Sequence, residues 1–180
     1  CTDCSLHEGV GHVCLMWEGN PNASLMFVGE APGADEDKLG RPFIGEAGRL
    51  LSNILSEYKL TRRDVYISNA VKCRPPENRK PHVKELRECR KYLLREIQAV
   101  KPKLIVGLGR TAMESLLDVK MFTINTGRGK IHYSTSRELK DIPIIVTYHP
   151  AAVKRDNTLI TAVFQDFEFI LKVLEKGIPV

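Results

Sequence analysis

No apolar run in the sequence approaches the ~20 residues that a membrane-spanning helix requires, so no membrane partner is expected. Internal repeats, low-complexity tracts and linkers are also missing, which leaves one hydrophobic core as the default. At 180 residues the chain can bury roughly two thirds of its unfolded surface, and a single domain over residues 1–180 is expected. No signal peptide precedes Cys1, so a reduced, cytoplasmic compartment is expected. Acid is in short supply: 22 Asp and Glu against 27 Lys and Arg leave a net charge of +5, a modest excess compatible with a polyanionic partner. With 43% hydrophobic and 27% charged residues, the remainder is an ordinary globular composition.

What is present centres on residues 24–51. The apolar run Leu25-Met26-Phe27-Val28 reads as a buried strand and ends at Gly29, Pro32 and Gly33, a turn where backbone and ligand can approach closely. From Ala47 onward, Leu50, Leu51, Ile54, Leu55 and Tyr58 keep the spacing of one helical face. The glycine- and acid-rich loop between them therefore sits at the carboxyl edge of a strand, where open α/β sheets bind ligands. Phe43, between Pro42 and Ile44, is an aromatic in a polar loop, suited either to stacking on a planar ligand or to anchoring the loop.

The segment up to Asn22 reads as a loop. Asp64 to Asn69 is a second strand, closed off by the Cys-Arg-Pro-Pro-Glu-Asn-Arg-Lys-Pro run at 73–81. Residues 82–100 carry Val83, Leu86, Leu93, Ile97 and Val100 at amphipathic helical spacing, with Cys89 on the same segment. Lys103 to Gly109 is a third strand, Arg110 to Leu117 a short helix, and 119–140 reads as irregular. Ile142 to Tyr148 is a fourth strand delivering His149-Pro150, and a last helix carries Leu159 to Leu174. Alternating strands and helices predict an α/β fold, a three-layer αβα domain around a four-stranded, mainly parallel sheet.

Five cysteines without a secretory signal argue for metal-binding thiolates over a disulfide framework. Cys1, Cys4, Cys73 and Cys89 form C-x2-C, 68 intervening residues, then C-x15-C, a spacing open to zinc, to a [4Fe–4S] cluster, or to unrelated buried cysteines. Cys14, among Val13, Leu15 and Met16, reads as a buried apolar residue. If the sheet is parallel, Gly29-Glu-Ala-Pro-Gly33, Asn69 and His149-Pro150 converge on one edge. There an amide could read a base edge and a neutral imidazole could donate to a developing oxyanion; the bland alternatives are a turn residue and a structural hydrogen-bond partner.

These motifs, with Gly40-Arg-Pro-Phe-Ile-Gly-Glu-Ala-Gly48, Ser68-Asn-Ala-Val-Lys-Cys-Arg-Pro-Pro76, Asn78-Arg79 and His149-Pro-Ala151, resemble the family 4 uracil-DNA glycosylases, iron–sulfur enzymes of thermophilic and other prokaryotes. The match runs in order over nearly the whole chain. The resemblance implies a uracil-DNA glycosylase-like fold and a [4Fe–4S] cluster on Cys1, Cys4, Cys73 and Cys89. In the pocket it implies that backbone at Glu30 and Ala31 binds uracil, Phe43 stacks on it, Asn69 reads its Watson–Crick edge and His149 faces O2. Glu36 and Asn78 match further positions implicated in activity, and Ala151, Ala152, Val153, Lys154 and Arg155 belong to a loop expected to enter the DNA. Ala31 stands where family 1 relatives place a water-activating Asp, which leaves Glu30 or Glu36 to orient the water or stabilise the sugar cation, with Glu36 favoured.

The expected activity is monofunctional: uracil is flipped out of single- or double-stranded DNA, its N-glycosidic bond is hydrolysed, and free uracil and an abasic site result. A monomer is expected, with a sliding clamp as a candidate partner. The rival readings are a catalytically silent binder of damaged DNA and an iron–sulfur electron carrier.

Overall fold

The computed structural model describes residues 1–9 and 17–177; Cys14 lies outside them. Strand β1 (Trp17–Gly19) is followed by β2 (Leu25–Gly29), β3 (Tyr66–Asn69), β4 (Leu104–Leu108) and β5 (Ile144–Thr147). All five residues of β2 are buried, as a strand covered on both faces requires. It pairs in parallel with β3 and β4, and β4 with β5, in the order β1-β3-β2-β4-β5. The sheet thus has five strands where four were expected. The addition is β1, antiparallel to β3, in the stretch read as loop. Three residues are too few to show alternation, and β1 is held by its partner: the Trp17 ring stacks on Tyr66 at 5.0 Å.

The helices are α1 (Ala34–Leu39), α2 (Glu46–Glu57), α3 (Val83–Val100), α4 (Arg110–Leu117), α5 (Ile124–Gly127), α6 (Pro150–Arg155) and α7 (Ile160–Lys176). Alternate strand residues sort onto two cores. Leu25, Phe27, Ile67, Val106 and Ile145 meet Leu51, Leu55, Phe167 and Ile170 on one face; Met26, Val28, Ile105 and Val146 meet Leu93, Ile97, Met113 and Leu116 on the other. Each such side chain contributes roughly 1.5–3 kcal/mol by leaving water, which is how helices come to cover both faces. The three-layer αβα architecture is as expected.

Two stretches expected to be irregular contain helix: α5 within 119–140, and α6 in place of the loop after His149. Pro150 at the first helical position, with His149 as N-cap, explains why α6 starts there. Among the described residues no helix is long and apolar enough to cross a membrane.

Candidate active site

The parallel register brings the carboxyl ends of four strands to one edge, with Gly29 opposite Asn69 and Leu108 opposite Thr147. Above that edge opens a cleft of about 630 Å³, whose walls include Glu30, Ala31, Glu36, Phe43, Asn78 and His149. Beside the cleft, the Phe43 ring and the Asn69 amide fold over Gly29. A Cβ on Gly29 would lie 2.3 Å from Phe43 Cζ and 2.5 Å from Asn69 Oδ1, so only glycine permits this approach.

Asn69 is buried and is not among the residues that line the cleft; it lies behind Gly29. Among the described residues its Oδ1 has no hydrogen-bond partner, an orphan acceptor of the kind that ordinarily awaits a ligand or water. Its backbone carbonyl accepts from Lys72 Nζ at 2.9 Å, and the same buried ammonium donates to Ser68 Oγ at 2.7 Å and Glu96 Oε2 at 2.8 Å. Burial, only partly offset by Lys72, pushes the Glu96 carboxyl above its ordinary range. The β3 exit is thereby fixed from beneath.

His149 is half-buried, its ring centroid 5.8 Å from that of Phe43. Burial, with the Arg155 guanidinium acting in the same sense, pushes its pKa down to about 4, so the ring is neutral at neutral pH. Nδ1 accepts the Ala151 N–H at 3.1 Å. The proton of the neutral ring therefore sits on Nε2, which leaves His149 a donor on that side.

The two glutamates differ. Glu36 spends both carboxylate oxygens on its own loop: Oε1 accepts from the N–H groups of Ile44 (3.0 Å) and Gly45 (2.8 Å), and Oε2 from Gly33 (3.1 Å). Glu30 Oε2 accepts from Thr111 Oγ1 at 2.5 Å, and among the described residues no hydrogen bond is found at its Oε1. This geometry favours Glu30 over Glu36 for work on a ligand, the reverse of the preference drawn from sequence.

Asn78 lies on the cleft wall with φ +56° following Glu77 at +53°, and Arg74 Nε donates to its Oδ1 at 2.8 Å. In α6, Ala151, Ala152 and Arg155 line the cleft, but Val153 is buried in the core and Lys154 pairs with Glu46. The expected DNA-entering loop is thus a helix with one side chain turned inward, because Val153 falls on its core-facing side.

Cys1, Cys4, Cys73 and Cys89 line one further cavity, with Leu6, His7, Lys72 and Tyr92. The Lys72 N–H donates to Cys89 Sγ at 3.3 Å, and Cys1 Sγ lies 3.3 Å from the Tyr92 hydroxyl. Among the described residues no three His, Cys, Asp or Glu side chains are grouped to hold a single metal ion.

Sequence reasoning passed over Thr111, Arg110, Ile124 and Tyr148, which also line the cleft. Arg110 and Thr111 lie just past the end of β4, as His149 lies just past β5 and Asn69 ends β3, and that shared position was the available signal. Tyr148 was read as strand; its hydroxyl donates to Asn125 at 2.7 Å and the Arg128 guanidinium lies 4.9 Å from its ring centroid, contacts that only the folded 119–140 segment supplies.

Residues 16–175 match the family model described as the uracil DNA glycosylase superfamily. The chain is 42% identical to a type-4 uracil-DNA glycosylase of Archaeoglobus fulgidus, over 99% of this chain and 90% of that protein. It is 41% identical to the type-4 enzyme of Thermotoga maritima (98% and 90% covered) and 45% identical to that of Sulfurisphaera tokodaii (87% and 77% covered). The chain therefore belongs to the uracil-DNA glycosylase superfamily, in its type-4 branch.

Proposed function

We propose that the cleft receives a uracil flipped out of DNA and that the chain hydrolyses its N-glycosidic bond, releasing uracil and leaving an abasic site for repair. Flipping is required because the bond is inaccessible inside the stack. The observation that carries this reading is the presence of an orphan acceptor, Asn69 Oδ1, and a neutral donor, His149 Nε2–H, at the carboxyl edge of one sheet, after β3 and β5. Uracil offers the complement: an N3–H for Oδ1, an O4 for the Asn69 amide N–H, and an O2 on which charge grows as the bond breaks.

In this reading Phe43 stacks on the base, backbone at Glu30 and Ala31 holds it, and His149 donates to O2. As uracil leaves with the bonding electrons, Glu30 orients the water that attacks C1′ and takes up its proton, with Thr111 holding the other carboxylate oxygen in place. Asn78 supports the wall facing the sugar, and Arg155 lies at the rim toward the phosphates.

The four cysteines fit a [4Fe–4S] cluster by the chemistry of their donor set: four sulfurs around one cavity, with a backbone N–H already on Cys89 Sγ. Cys1, Cys4, Cys73 and Cys89 would hold it. When bound, the cluster would supply thiolate–iron bonds tying the amino terminus to the segment after β3 and to α3, while the pocket residues carry out base removal themselves. Iron and sulfide analysis separates this cluster from zinc.

Incubation with U·G, U·A and single-stranded uracil oligonucleotides, followed by alkaline cleavage and electrophoresis, tests the activity. Strand breaks at uracil are expected; folded protein that leaves all three intact would overturn the reading.

A further inference from the structure

Phe43 has φ +54°, a left-handed conformation that a bulky residue holds only when its surroundings impose it. Two side chains grip the peptides around it. On the amide side, Glu36 accepts the N–H groups of Ile44 and Gly45. On the carbonyl side, Arg62 donates from Nη1 to Phe43 O at 2.8 Å and from Nη2 to Pro42 O at 2.7 Å. Its remaining edge is fixed by Glu18 of β1, whose Oε1 accepts from Nε at 2.9 Å. Arg62 is only 20% exposed and does not line the cleft. α2 closes the far side: a Cβ on Gly48 would come within 1.6 Å of Phe43 O.

We propose that Arg62 is a positioning residue for uracil excision, setting the place of the Phe43 ring by holding the Pro42 and Phe43 carbonyls while Glu18 holds the guanidinium. Arginine suits the task because its planar fork presents several donors at once in fixed geometry, where lysine offers one point of charge. The antiparallel edge strand thereby reaches the pocket, since Glu18 sits at its middle. The inference rests on the reading of Phe43 as the ring that stacks on uracil.

Single-turnover excision from a U·G duplex tests it. Arg62→Met is expected to slow base release about 10- to 100-fold, the scale of a displaced positioning group, and Arg62→Lys to fall between it and the parent. In a Phe43→Leu background, Arg62→Met is expected to add less than about threefold, because the ring through which it acts is gone. An Arg62→Met rate within about threefold of the parent, or its full effect retained in the Phe43→Leu background, overturns the inference. Should Arg62→Met fail to fold, Arg62→Gln takes its place and is judged on the same two criteria. A Phe43→Leu rate equal to the parent's overturns the stacking reading itself, which separates that failure from a failure of Arg62 alone.

Discussion

Thr111 Oγ1 donates to Glu30 Oε2 at 2.5 Å, joining the first turn of α4 to the loop that leaves β2. One oxygen of the carboxylate is immobilised and the other is left for the cleft, the arrangement a general base needs if it is to meet a water in one orientation. Glu30→Gln is expected to lower the single-turnover rate about 10²–10⁴-fold with little change in stability. A rate within about threefold of the parent would remove Glu30 from the chemistry.

Glu36→Gln is expected to behave differently. A carboxamide cannot accept on both of its termini, so at least one of the Gly33, Ile44 and Gly45 N–H groups is left facing a donor. Leaving such a part-buried group unsatisfied costs roughly 1 kcal/mol, measurable as a lower urea midpoint at unchanged slope. Excision should slow as well, through displacement of the loop that carries Phe43. An unaltered midpoint with a large loss of rate would return Glu36 to a direct role.

His149 governs the pH response. Its pKa is about 4 in the folded chain against an ordinary 6.5, so between those values the unfolded chain binds a proton that the native state does not. Its contribution to stability is therefore fully present above pH 6.5 and is lost as pH falls toward 4. For the reaction, the Nε2–H donor persists across the neutral range. The ratio of parent to His149→Ala rates, about 10²–10³, should stay level from about pH 5 to about pH 9. A break in that ratio near 6.5 would show the ring titrating at its ordinary value.

The parts legible from sequence are those written in short-range pattern. Leu25-Met26-Phe27-Val28, apolar at every position, announced a strand covered on both faces, and glycine after it announced a point of close approach. Periodicity placed α3 almost to the residue. What pattern does not record is which polar groups meet across the fold. Glu36 lies between Asp35 and Asp37 and looks like surface charge until the amides of Ile44 and Gly45 close on it. Arg62, beside Arg63 and Asp64, looks equally solvated, and its partners are about twenty and more than forty residues away in the chain. β1 is recognisable only through the strand it pairs with.

Asn69→Asp tests the selectivity of the pocket. The buried Oδ1 of Asn69 has no partner among the described residues, while its backbone carbonyl is held by Lys72 Nζ at 2.9 Å, so the amide stands on a fixed base. Uracil presents N3–H and O4 to an amide that accepts at one atom and donates at the other; cytosine presents an acceptor at N3 and a donor at N4, the reverse order. Aspartate keeps the acceptor for N3–H but sets a second acceptor against O4, and it adds charge in a site closed over by Phe43 and Gly29. A site built to hydrogen-bond its ligand loses roughly 10⁴–10⁵-fold when that pattern is broken, and uracil release should fall toward that scale. Parallel single-turnover assays on U·G and C·G duplexes measure the change, and a parental rate on uracil would rule out direct reading of the base by Asn69.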